Sequence, residues 1–268
     1  MDITSFVATI TSYYQEHKRS FPWRSTHDPY CIMVSEIMLQ QTQTFRVEPK
    51  YEAFIATLPT FKALADAPFA QVLQLWKGLG YNRRALALQQ CAKKVVEEFG
   101  GALPDEPAIL QTFPAIGYAT SCSITAFAFN KPTIFIETNI RSVFIHFFFP
   151  DREDVTDKEI MPLVEATVDQ RNPREWYYAL MDYGVMLKKE HKAINKRSKH
   201  YTRQSRFEGS DRQVRGKILE CLLQYGRITN GELQDILAVH ETRLIPIIET
   251  LKKDKLIIEQ KDYLKLAQ

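Results

Sequence analysis

Two carboxylates stand where the surrounding residues are apolar. Glu36, in "SEIMLQQTQ" (35–43), lies among Val34, Ile37, Met38 and Leu39. Burial among such neighbours penalises the charged form of a carboxyl and raises its pKa. A carboxyl still protonated at neutral pH can give its proton to a leaving group as a general acid. Glu137, in "PTIFIETNIRSV" (132–143), is a lone acid that breaks an apolar run just before a helix-like stretch. Nothing local explains why a charge is kept there. In "FPAIG" (113–117) a glycine would let the chain turn tightly between two helices, and the second helix would offer its first amides to a phosphate. Each feature alone also has an ordinary reading, as a helix-surface glutamate or a plain helix connection.

The elements that must position these residues are helical. Apolar residues recur at three- and four-residue steps in "SFVATITSYYQEH", "VSEIMLQQTQTFRVEPKYEAFIATL", "FAQVLQLWKGL", "RRALALQQCAKKVVEEFG", "ATSCSITAFAF", "KEIMPLVEATVDQ" and "EWYYALMDYGVMLKKEHKAI". Turn signals such as "GLGYN", "FGGALPDEP" and "RNPREW" separate them. Residues 1–205 therefore read as one all-helical domain. From 206 the pattern changes: a helix ended by Gly226, a capping box from Thr229 to Glu232 opening a second, a third around Pro246, and then "KLIIEQKDYLKLA", which alternates about a polar turn as a β-hairpin does. Three short helices and a hairpin make 206–268 a winged-helix-like domain, suited to DNA or to protein contacts.

Composition narrows the class. The chain has 268 residues, 45% hydrophobic and 25% charged, which suits a folded protein with an appended domain. No apolar run approaches the roughly 20 residues of a membrane span, and the N-terminus lacks a leader pattern. Cys31, Cys91, Cys122 and Cys221 are far apart with no CxxC pair, so no zinc site or disulfide framework is expected and a reducing cytoplasm is the simple reading. The net charge of +3 says little by itself, but Tyr183–Lys217 holds 11 Lys/Arg against 3 Asp/Glu. That strip is either a solvated linker or a phosphate-contacting surface.

Four stretches in order, "FPWR...DPY" (21–30), "SEIMLQQTQ" (35–43), "LWKGLGY" (75–81) and "FPAIGYATSCSI" (113–124), resemble the helix-hairpin-helix DNA glycosylases, most closely the MutY-type adenine glycosylases. The resemblance covers about residues 20–187. It implies a mainly α, two-lobed helix-hairpin-helix glycosylase fold and a monofunctional hydrolysis of the N-glycosidic bond of mispaired adenine, opposite 8-oxoguanine or guanine, in base excision repair. The alternatives are release of another base, such as thymine or uracil opposite guanine, or a catalytically weak lesion-binding protein.

By that resemblance Glu36 protonates the extruded adenine and Glu137 stands where the family has an aspartate that stabilises the sugar cation. Gln41 and Tyr81 match positions that wedge into the base stack. Gln40, Thr42 and Gln43 would position the strand or the orphaned base. Gly117, Tyr118 and Thr120 would form the phosphate grip of the hairpin, whose usual glycine is Ala115 here. Asn139 would hold substrate or water. Arg24 would contact the base or a phosphate, or else form a structural salt bridge. Ala119 replaces the lysine of members that also cleave the strand.

The family's [4Fe-4S] cysteines fall on Lys188, Asn195, Ser198 and Gln204, so no cluster and no other cofactor or metal is expected. The hydrolase-like domain with which typical MutY enzymes read 8-oxoguanine is not evident. The expected partner is double-stranded DNA carrying a mismatch or lesion, bound by a monomer away from membranes.

Overall fold

The computed structural model describes residues 2–203 and 205–267. In chain order the helices are α1 (Ile3–His17), α2 (Pro29–Leu39), α3 (Thr44–Thr57), α4 (Phe61–Asp66), α5 (Phe69–Trp76), α6 (Arg83–Glu98), α7 (Pro107–Leu110), α8 (Tyr118–Phe129), α9 (Thr138–Phe148), α10 (Asp157–Thr167) and α11 (Pro173–Glu190). Then follow α12 (Asp211–Tyr225), β1 (Arg227–Ile228), α13 (Asn230–Leu237), α14 (Glu241–Lys253), β2 (Ile257–Gln260) and β3 (Tyr263–Leu266). No helix among the described residues is long and apolar enough to cross a membrane.

The chain forms two compact units that do not follow chain order. One holds residues up to Glu36, Pro104–Thr112 and Ile116–Arg203; the other holds Ile37–Leu103, Phe113–Ala115 and the C-terminal residues from 205 on. The first unit packs α11 against α9, α1 and α8. Its core is aromatic: Phe6 meets Phe144, Phe147, Phe148 and Trp176 edge-on or tilted, and Phe127 stacks on Tyr178 at 4.6 Å. Each of these that is fully buried, such as Phe6, Phe127 and Phe144, contributes about 1.5–3 kcal/mol by leaving water.

In the second unit α6 packs on α4 and α5, while α12 packs on α13, α14 and the sheet. The capping box expected at Thr229 and Glu232 opens α13, and a second one, Thr156 with Glu159, opens α10. The alternating tail is the expected hairpin, with Ile257 opposite Leu266 and Gln260 opposite Tyr263. Its two turn residues, Lys261 and Asp262, both have positive φ (50° and 61°), as a two-residue turn with the right twist requires. β1 adds to β3, giving sheet order β1-β3-β2.

One expected element divides. Residues 34–58 read as a single helical stretch, but α2 ends at Leu39 and α3 starts at Thr44. Gln41 has φ 55°, a left-handed conformation that no helix tolerates. Periodicity did not register this break because the apolar spacing continues through it.

Candidate active site

α2 carries Glu36 on a stretch whose neighbours Met33, Val34, Ile37 and Met38 are fully buried. The glutamate keeps partial access to solvent. Burial is the main cause that lifts its pKa to about 7, and the charge of Glu137 adds to the rise. A hydrogen bond from Ser123 and the charge of Arg24 oppose it. Ser123, on α8, places Oγ 2.5 Å from Glu36 Oε2 and 3.0 Å from the Thr120 carbonyl. The ring of Tyr178 borders the same site: burial and the charge of Glu36 push its phenol up. A carboxyl with this pKa is half protonated near neutrality, as a general acid requires.

Glu137 is the N-cap of α9. Its Oε1 accepts from the amides of Asn139 (2.7 Å) and Ile140 (2.9 Å), and its Oε2 accepts from Asn139 Nδ2 (3.0 Å). This capping arrangement pins the carboxylate to the positive end of its own helix. Asn139 thus binds the acid through both its amide and its side chain. α11 fixes this helix start from outside: a Cβ added at Gly184 would meet the Asn139 carbonyl oxygen at 2.5 Å and its Cβ at 2.7 Å. One turn further on, burial pushes the Lys188 amine down while the Glu137 charge opposes it.

Of the two readings open for Arg24, the structure holds the salt bridge. Arg24 Nη2 and Nη1 donate to Asp182 Oδ1 (2.8 Å) and Oδ2 (2.9 Å), and Arg19 Nε donates to Oδ1 (2.7 Å). The Asp182 and Arg24 side chains are 1% and 7% exposed. The guanidinium also lies over the Tyr178 ring at 4.4 Å. These bonds commit Arg24 to the ion pair inside the fold, and its positive charge also reaches Glu36.

The second unit gathers Gln40, Gln41, Thr42 and Tyr81. Gln41 and Tyr81, the two expected wedges, both have left-handed backbones, φ 55° and 48°. Such strain, about 1–3 kcal/mol per residue, persists where the surroundings enforce it and collects at functional sites. Here Arg84 bonds to both segments beside the strained residues. Arg84, on α6, is 6% exposed and donates to the carbonyls of Ile37, Met38 and Gly80 and to Thr42 Oγ1. Burial lowers its pKa to about 10. Gln40 Nε2 donates to the Ala115 carbonyl at 3.1 Å, and Gln43 is the exposed N-cap of α3.

The hairpin corrects one expectation. Gly117, expected to make the tight turn, has φ −87°, which any residue adopts. The left-handed residue is Ala115, φ 59°, at a cost of roughly 1–2 kcal/mol for a side chain with Cβ. Gly117 has another use: nothing lies within 4 Å of where its Cβ would be, so the start of α8 is open to a close ligand. No side chain caps α8, and Gly117 and Tyr118 are exposed. Tyr118 donates its hydroxyl to the Ile134 carbonyl at 2.9 Å. Thr120 accepts from Ser123 through its carbonyl, tying the hairpin to the Glu36 site.

At the family's cysteine positions the side chains serve packing. Asn195 Oδ1 accepts from Ser142 Oγ at 2.5 Å, the buried Ser198 Oγ accepts from the His200 amide while its backbone pairs with Val155, and the neighbouring Arg197 donates to the carbonyls of Arg152 and Phe149. Gln204 lies outside the described residues. No thiolate donor occurs between Cys122 and Cys221, so these residues do not fit an iron–sulfur cluster. Arg197, part of the basic run, is spent inside the fold.

Ser123, Asp182, Arg84 and Gly184 escaped the sequence reading. Only Gly184, in "MDYGVML", carried a signal, since a glycine inside a helix marks close packing.

Residues 34–168 match the family model of the HhH-GPD superfamily base excision DNA repair proteins. The adenine DNA glycosylase of Mycolicibacterium smegmatis is 32% identical over 244 residues, which is 80% of this chain and 78% of that protein. That of Buchnera aphidicola is 33% identical over 187 residues, or 68% of this chain and 52% of that protein. The chain thus spans about half the length of the latter. A solved structure of a thermostable thymine-DNA glycosylase superposes with a TM-score of 0.63 at 26% identity, covering 69% of this chain and 86% of that one. With its mainly helical fold and the matched segment running from α2 into the turn after α10, the chain belongs to the HhH-GPD superfamily of base excision DNA repair proteins.

Proposed function

We propose that the protein is a monofunctional DNA glycosylase that hydrolyses the N-glycosidic bond of adenine mispaired with 8-oxoguanine or guanine. One observation carries this reading: Glu36 is set among fully buried side chains, which lifts its carboxyl pKa to about 7, within electrostatic reach of a second carboxylate at Glu137. Base release needs both. Glu36 protonates a ring nitrogen of the extruded adenine, which turns the base into a neutral leaving group. Positive charge then develops on the sugar, and the Glu137 carboxylate stabilises it, by the logic of glycoside hydrolysis. Water completes the reaction, because Ala119 offers no amine for a Schiff base. Gln41 and Tyr81 fill the gap left by the extruded base, and the open start of α8 takes a phosphate.

The element order α12–β1–α13–α14–β2–β3 supports a winged-helix reading of 206–268. The protein acts on duplex DNA in the cytoplasm as a monomer. The similarity to a thymine-DNA glycosylase favours thymine or uracil opposite guanine as the second reading. Single-turnover incubation with duplexes carrying each mispair, followed by alkaline cleavage of abasic products, separates them. Adenine release is expected; release of thymine or uracil alone would support the second reading, and no release at all would leave a lesion-binding protein.

A further inference from the structure

Two clefts share Tyr81, Arg83 and Asp254 in their walls. One, of about 610 Å³, is completed by Gln41, Lys253 and Lys255 among others; the second, of about 680 Å³, by Arg46, Arg212, Arg215 and Lys217. Two acids line them, and both are neutralised locally. Asp254 accepts from Arg215 at 2.5 Å and pairs with Arg83 at 3.5 Å, and Glu220 pairs with Lys77. Lys217, Lys253 and Lys255 are exposed and make no ion pair among the described residues. Arg212 does something different: its Nη1 donates to the Tyr81 hydroxyl at 2.8 Å, and its guanidinium lies over the Tyr81 ring at 5.4 Å and over the exposed ring of Phe207 at 5.5 Å. Arg84 approaches the same Tyr81 ring at 5.3 Å. Two guanidiniums therefore approach the Tyr81 ring, and its backbone has a conformation that a tyrosine rarely adopts, φ 48°.

The surplus positive charge in these walls comes largely from residues 212–255, beyond the segment that matches the family model. Cations interleaved with aromatic rings along a groove suit a phosphate backbone with bases stacked beside it. Uncompensated lysines are a poor lining for an apolar ligand, and their charge sets a long-range attraction for polyanions. We propose that the C-terminal segment is part of the DNA grip: Lys217, Lys253 and Lys255 contact phosphates of the duplex around Tyr81, while Arg212 acts as a positioning residue that holds Tyr81 ready to enter the stack. This rests on the proposed function only in taking duplex DNA as the substrate.

The test is binding of the full-length Glu36→Gln protein to a mispaired and to a matched duplex over a range of salt. Replacing Lys253 and Lys255 together by Gln should make log affinity against log salt shallower by about 2, near 0.9 per lost phosphate contact. Affinity at physiological salt should fall on the order of tenfold or more. Replacing the same pair by Arg should keep the slope, which separates lost charge from lost folding. An unchanged slope in the Gln pair overturns the proposal and assigns this face to another partner, such as an acidic protein surface. Weaker binding at unchanged slope overturns it as well, since phosphate contacts cannot be lost without it. For Arg212, the preference for mispaired over matched duplex is compared in Arg212→Ala, Tyr81→Phe and the double variant. A double variant no worse than the worse single supports positioning through Tyr81, and additive losses overturn it. Failure of the wild type to release any base would refute the proposed function and leave these binding readouts intact.

Discussion

Ser123 Oγ lies 2.5 Å from Glu36 Oε2, so the helix that leaves the hairpin reaches the candidate general acid directly. The bond favours the ionised carboxyl, against the burial that favours the neutral one. Ser123→Ala should therefore raise the pKa of Glu36. The high-pH fall in single-turnover base release should move up by about one pH unit, the size expected for a lost hydrogen bond to a charged group. A pH–rate profile of the variant checks this, and a shift towards lower pH would contradict the role given to Ser123.

Glu36 also leaves a signature in stability. Its folded-state pKa of about 7 exceeds the ordinary glutamate value of 4.5. Between those values the folded chain keeps a proton that the unfolded chain has lost, so stability falls as pH rises across this window. Glu36→Gln, which mimics the neutral form, should raise the melting temperature at pH values above about 7 by an amount corresponding to roughly 2–3 kcal/mol, and hardly at all near pH 4.5. Denaturation of both proteins at the two pH values provides the comparison.

Gly184 tests how closely Glu137 must be placed. An alanine there collides with the Asn139 backbone, a contact that no side-chain rotation relieves. Gly184→Ala should move the start of α9, destabilise the protein by about 1–3 kcal/mol and slow base release on the order of 100-fold. Urea denaturation and single-turnover kinetics on the same preparation read both effects. Wild-type kinetics in a destabilised variant would show that the α9 cap tolerates displacement.

Asp182, itself buried, pairs with both Arg19 and the buried Arg24. Asp182→Asn should cost about 3–5 kcal/mol, because Arg24 is left buried without its counter-charge. The freed positive charge near Glu36 should also favour the ionised acid, bringing the high-pH fall in base release to lower pH.

Much of the fold was legible because its signals are local: helical periodicity in α1, α5, α6 and α11, the capping box at Thr229, and the alternation of the final hairpin. Order and spacing of short segments also pointed to Glu36, Glu137 and Tyr81. What escaped depends on contacts distant in sequence. Ser123 is 87 residues from Glu36 and Asp182 is 158 from Arg24, and neither residue type announces its partner. Arg84 is buried with its guanidinium on the carbonyls of Ile37 and Met38, more than 40 residues away, and its helical stretch gives no sign of that contact. The break at Gln41 and the left-handed Ala115 were missed for a different reason. Their backbones are imposed by surrounding contacts, against the preference of residues that carry a Cβ.

The most direct measurement is single-turnover release of adenine from an adenine:8-oxoguanine duplex as a function of pH, with wild type and Glu36→Gln side by side. Wild-type release should be full at acidic pH and fall as the pH passes about 7, while Glu36→Gln binds the duplex without releasing the base. Release by Glu36→Gln at the wild-type rate, or a wild-type rate that is flat through neutrality, would contradict the assignment of Glu36 as the general acid.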